Sequence, residues 1–148
     1  MTKLQFNLFT MMKVPLARIA GVKLESVDDL GSRISLRYRW LNTNPFKSMF
    51  WAAEGMAAEF STGILPLMKI AKSGQKVAML VVGMEAEFQK KAVGKIVFVC
   101  GQGSEVDAAL AQTIATKEPV TLTMRSVGTD EQGDVVAEFA FVWSFRAK

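Results

Sequence analysis

Asn42-Thr43-Asn44-Pro45-Phe46-Lys47-Ser48, running into Met49-Phe50-Trp51-Ala52-Ala53-Glu54-Gly55-Met56-Ala57-Ala58-Glu59-Phe60-Ser61-Thr62-Gly63, is the stretch on which the fold turns. Its first half holds the turn formers Asn42, Asn44 and Pro45, which do not continue a strand. Its second half is rich in Ala, Met and Glu, which favour helix. Either Asn44, with Pro45 at the first helical position, or Ser48 suits the N-cap. Met49, Ala53, Met56 and Phe60 fall on one side of that helix, and Gly63 and Pro66 predict its end. A helix this apolar is expected to be wrapped by other elements rather than to lie on a surface.

Outward from this helix the pattern turns to strands. Before it, Ile34, Leu36, Tyr38 and Trp40 alternate with Arg33, Ser35, Arg37 and Arg39, giving one apolar and one basic face. The arginine row suits either a phosphate or a solvated sheet face. An earlier strand is predicted over Arg18 to Val27, turning at Asp28 to Gly31. Leu4, Leu8, Met11 and Met12 stand at helical spacing, so residues 1–14 are read as a helix packed on the domain. Their apolar stripe suits a flap over the core, with membrane or acyl contact as its other use.

After the central helix, a loop through Lys69, Lys72 and Gly74 leads to a strand over Lys76 to Phe88, apolar on both faces as far as Val82. That pattern implies cover from a helix on one side and a partner on the other. Lys95 to Cys100 reads as a strand, Glu105 to Lys117 as a helix stopped by Pro119, and the rest as a hairpin that turns at Gly128 to Asp134. The return strand sets Ala137, Phe139, Phe141, Trp143 and Phe145 on one face. The sum is a single α+β domain over residues 1–148, with a mostly antiparallel sheet curled around one apolar helix.

Composition narrows the chemistry. The chain has 148 residues, a net charge of +4, one cysteine and no histidine. Ser-His-Asp and Cys-His pairs and histidine-based zinc motifs are therefore excluded, and no metal site is expected. Phosphate-cradling glycine motifs are absent. The charge is too dispersed for nucleic acid, and no membrane span or secretory signal is expected, which together with the lone Cys100 suggests a cytoplasmic protein.

Catalysis must then rest on carboxylates, amides, hydroxyls and backbone N–H groups. Glu59 shares a helix flank with Ala52, Gly55, Met56 and Gly63, a strip of mostly small residues that a ligand can approach. Glu54 lies about 140° round the helix, toward Phe50, Ala58 and Ser61. A carboxylate on so apolar a helix should have a raised pKa, useful to a base that activates water. The backbone N–H groups of Phe50 and Trp51 at the helix start suit an oxyanion. Ser61 and Thr62 offer hydroxyls to a substrate or to the helix itself. Lys90 and Lys91 suit either phosphates at a cleft mouth or a solvated bend.

The order of elements, with a loop and a buried helix after the second strand, resembles the hotdog fold of the acyl-CoA thioesterase superfamily. The closest likeness is to a thioesterase-like branch related to phenylacetate-pathway-type enzymes. In that pattern a loop Asn is followed after seven residues by a helix-opening Gly, and eight residues later by an acidic residue; Asn44, Trp51 and Glu59 have this spacing. Glu87-Phe88-Gln89-Lys90-Lys91-Ala92-Val93-Gly94 also looks like the end of the family's long strand. Where the family carries His-Gly-Gly, this chain has Phe50-Trp51-Ala52, and Ala78 falls where a Ser or Thr is usual. The resemblance implies a homodimer, or a tetramer, that hydrolyses an acyl-CoA thioester. Glu59 would be base or nucleophile and Asn44 would orient substrate or water. No cofactor is implied beyond the coenzyme A of the substrate. The alternative is a non-catalytic binder of acyl or other apolar ligands on the same scaffold.

Overall fold

The computed structural model describes residues 1–148 and opens with two helices that meet at a proline. Helix α1 (Lys3–Lys13) starts at a reciprocal cap, in which Thr2 accepts from the Gln5 N–H and the Gln5 side chain accepts from the Thr2 N–H. Its buried residues are Phe6 and Thr10, whereas Leu4, Leu8, Met11 and Met12 are exposed. The apolar stripe expected to cover the core thus faces outward. Phe6 packs edge-on against Phe60, with ring centroids 5.4 Å apart, and fixes that orientation.

Helix α2 (Pro15–Ala20) occupies what was expected to be the start of a strand. Pro15 pre-sets the first turn, and Gly21 ends the helix in a left-handed conformation at φ 96°. Only then does β1 (Lys23–Val27) begin. It pairs with β2 (Ser32–Arg37) across the expected turn, where Asp28 Oδ1 accepts the N–H groups of Leu30 at 2.8 Å and Gly31 at 2.9 Å. β2 stops three residues short of Trp40. Asn42 bends the chain there into a 3₁₀ turn (Trp40–Asn42), its Nδ2 donating to Arg37 O at 2.9 Å and Ala20 O at 3.1 Å.

The central helix α3 (Trp51–Ser73) is longer than its sequence suggests. Gly63 does not end it; a Cβ there would lie 2.9 Å from the Trp143 ring, so the glycine is a packing site. Pro66 removes one N–H donor inside the helix. Its buried surroundings, with Ile64 and Leu65 beside it, hold the helix together. Lys69 and Lys72, expected in a loop, lie on the last turns and pair with Asp107 at 2.7 Å and Asp29 at 2.6 Å. The helix ends at Gly74, φ 67°.

Strands β3 (Val77–Phe88), β4 (Lys95–Cys100), β5 (Val120–Thr129) and β6 (Val135–Ala147) complete the sheet, with α4 (Gly103–Thr116) between β4 and β5. All pairs are antiparallel and the order is β1-β2-β4-β5-β6-β3. The sheet curls around α3 in the hotdog arrangement. Phe98, Phe139, Phe141, Trp143 and Phe145 meet Ala53, Ala57, Ala58, Ile64 and Leu65 in one core.

A bulge resolves the doubly apolar look of β3. Val81 pairs with Trp143 and Gly83 with Val142, leaving Val82 unpaired. Met79 and Val81 pack on the core before the bulge and Ala86 after it, with Met84 and Phe88 in register with Phe141 and Ala137 on that same face and Glu85 and Glu87 on the other. The far edge of β3 has no partner strand, and Leu80, Val82, Met84 and Phe88 are exposed along it. No helix is long and apolar enough to cross a membrane.

Candidate functional site

Two recesses flank α3, one at its start and one near its middle. The loop before the helix is organised by Asn44. Its Oδ1 accepts the N–H groups of Phe46 at 2.9 Å and Ser48 at 3.2 Å, and its Nδ2 donates to Met49 O and Ser48 Oγ, both at 3.1 Å. Asn44 is therefore not the helix N-cap, and neither is Ser48. That position belongs to Phe50, which offers no side-chain cap.

The lack of a cap leaves donors free. Phe50, expected as half of an oxyanion hole, gives its N–H to Asn42 O at 2.7 Å and is not available. The N–H groups of Trp51 and Ala52 meet no acceptor in the chain, and they point out of the positive end of a 23-residue helix. The N–H groups left free at the helix start are thus those of Trp51 and Ala52, not that of Phe50.

Trp51 stands in the wall of a recess of about 480 Å³ that also includes Asn44, Phe50, Glu54, Phe88, Lys90 and Lys91. Glu54 is only 4% exposed, and its Oε1 has no hydrogen-bond partner. Burial without a partner pushes its pKa up to about 7. Sequence reasoning set Glu54 aside because it points away from the small-residue flank. The missing signal was that α3 is wrapped on that side too, so Glu54 is almost wholly buried in the wall of the recess. Lys90 is held by Asp130 at 2.6 Å and Asp134 at 2.7 Å, which raise its pKa and leave it poorly placed for a phosphate. Lys91 donates to Phe46 O at 3.2 Å and has no acidic partner.

The second recess, about 180 Å³, is an apolar pocket between α1, α3 and the β3 side of the sheet. Phe6, Phe9, Phe60, Ile64, Leu67, Met79 and Trp143 line it, and Glu59 is its one carboxylate. Glu59 is open to solvent at the mouth, yet the apolar groups around it raise its pKa above the ordinary value. Glu59 and Trp51 do not meet within one chain. Eight residues of helix separate them by about 12 Å along its axis.

Ser61 and Thr62, expected to touch a substrate, are fully buried. Ser61 Oγ donates to Ala58 O and shares a 2.7 Å hydrogen bond with Ser126 Oγ. Thr62 Oγ1 donates to Glu59 O at 2.9 Å and accepts from Trp143 Nε1 at 3.0 Å. Both tie helix to sheet. In the arginine row, Arg37 pairs with Glu131 at 3.1 Å, and Arg39 bonds Ile19 O. Cys100 is buried and its thiol pKa is raised, first by burial.

No protein of curated function matches the sequence. Among solved structures, a Pseudomonas aeruginosa protein of unknown function, described as a probable thioesterase, is 21% identical with a TM-score of 0.84, covering 100% of this chain and 97% of that one. A Chlorobaculum tepidum protein of unknown function is 12% identical with a TM-score of 0.83, covering 99% and 94%. A Haemophilus influenzae thioesterase is 8% identical with a TM-score of 0.75, covering 99% and 92%. These likenesses establish the hotdog fold. Residues 2–144 match the model of a family described as a domain of unknown function, DUF4442, and the chain belongs to that family.

Proposed function

We propose that this chain hydrolyses thioesters of the acyl-CoA kind at a site shared between two copies. The observation that carries the reading is where the two recesses lie along β3. The apolar pocket with Glu59 includes Met79 near the strand's start, and the recess with Trp51 includes Phe88 at its end. Antiparallel pairing of two β3 edges about a two-fold axis sets the start of one strand beside the end of the other. Glu59 of one copy then approaches the Trp51 and Ala52 amides of the second, which one chain alone cannot arrange.

In that site the acyl chain enters the apolar pocket. Glu59 takes a proton from water, and the water oxygen bonds to the thioester carbon. The carbonyl oxygen becomes an oxyanion that accepts from the two amides. The C–S bond breaks as the sulfur leaves with the proton from Glu59, giving a carboxylic acid and a thiol. Asn44 acts by holding the loop that aims the amides, and Lys91 is the cation free to meet a coenzyme A phosphate.

A screen against acyl-CoAs of varied chain length tests the reading. Glu59→Gln should lower turnover about 100-fold or more with the fold intact, and Glu54→Gln should leave it nearly unchanged. Full activity in Glu59→Gln with loss in Glu54→Gln would move the chemistry to the other carboxylate. Two observations favour a second reading, a non-catalytic binder: Trp51 stands half-exposed at the helix start, and Ala78 offers β3 no hydroxyl. Saturable binding of acyl-CoA without turnover would select it.

A further inference from the structure

The outward stripe of the N-terminal helices has no cover anywhere in the chain. Leu4, Leu8, Met11 and Met12 follow one face of α1, and Leu16 and Ile19 continue it on α2; all six are exposed, Met12 by 72%. The helix cannot roll to hide them, because Phe6 and Thr10 on its inner side are fully buried. Trp40, 83% exposed, extends the apolar surface beyond α2. The 3₁₀ turn that carries it is bound to α2 through Asn42 Nδ2 on Ala20 O, at 3.1 Å. Tryptophan favours the boundary layer of a bilayer.

The charge carried by the N-terminal helices themselves has a single sign, with Glu25 in β1 and Glu59 at the pocket mouth as acidic groups on neighbouring elements. Residues 1–24 include Lys3, Lys13, Arg18 and Lys23 and no acidic residue. Lys13 has no ion pair, Arg18 meets only the amide oxygen of Asn7 at 3.2 Å, and Lys3 is a loose 3.8 Å from Glu25. A second copy is a poor occupant for such a face. A two-fold contact would set these cations against themselves, and β3 already offers an unpaired edge for self-association.

We infer that α1 and α2 dock the protein on an anionic phospholipid surface. The stripe enters the boundary between headgroups and acyl chains, and the cations lie against lipid phosphates. This inference stands apart from the hydrolytic reading, since neither Glu59 nor the free amides enter it.

Co-sedimentation of the full chain with lipid vesicles tests it. Binding to phosphatidylcholine mixed with phosphatidylglycerol should exceed binding to phosphatidylcholine alone by about 10-fold or more, and should weaken as salt rises. The double variant Leu8→Glu/Met12→Glu and the charge-reversed Lys13→Glu/Arg18→Glu should each lose about 10-fold on mixed vesicles while keeping wild-type circular dichroism. Both pairs are at exposed positions, so a folding defect would be visible and separable. Failure of the wild type to bind mixed vesicles would overturn the inference, as would undiminished binding by both variants. A wild-type assembly that Leu8→Glu/Met12→Glu splits into smaller units would overturn it too, and would assign the face to copies of this chain.

Discussion

A carboxylate taken out of water without a hydrogen-bond partner holds its proton more tightly, and Glu54 is in that position. Its folded pKa of about 7 lies above the ordinary 4.5. The stability linked to its proton is fully present below pH 4.5 and is lost as pH rises to about 7. Glu54→Gln keeps the shape and removes the buried charge. At pH 8 it should stabilise the fold by about 1–3 kcal/mol, while at pH 5 it should change little. Denaturant titrations at the two pH values check this; an equal effect at both would mean that Glu54 titrates normally. Single side chains were the least legible scale in the sequence. Helical spacing fixed the angle between Glu54 and Glu59, but what lies opposite each carboxylate depends on strands and helices far along the chain. Ser61 and Thr62 are similar, since their partners Ser126 and Trp143 are 65 and 81 residues away.

Elements were legible where one pattern dominated and misread where two overlapped. β4, α4 and the terminal hairpin follow their periodicity closely. β3 reads as apolar on both faces because the bulge at Val82 shifts the alternation by one, which keeps Glu85 and Glu87 off the core side. All residues after Val82 already have their regular partners, so its deletion should keep the core pairing intact. Such a variant is expected to unfold cooperatively, with Trp143 fluorescence unchanged; loss of the cooperative transition would show that the bulge is required for folding. α1 was misread for another reason. Its two faces are both apolar enough to be buried, and Phe6 with its aromatic partner Phe60 outweighs four thinner side chains for the inner position. Gly63 and Pro66 ordinarily end a helix, but here Trp143 and buried neighbours supply what local propensity withholds.

At the scale of the whole molecule, the curled antiparallel sheet around one helix was readable from element order, because the apolar helix needs wrapping and the aromatic face of β6 supplies it. Which N–H groups stay free at the helix start was not readable, since it depends on a hydrogen bond between Phe50 and Asn42 that no periodicity encodes. The separation of Glu59 from Trp51 by about 12 Å along α3 also has a genetic consequence. If each site draws its carboxylate from one copy and its amides from the other, two dead proteins can revive one another. Glu59→Gln disables one half, and Trp51→Pro, tolerated at the first helical position, removes an amide from the other. Unfolded together and refolded, the two inactive variants pair at random. About half the dimers are then mixed, and each has one wild-type site and one doubly altered site, so about a quarter of wild-type turnover should return. A site confined to a single chain would show no such complementation.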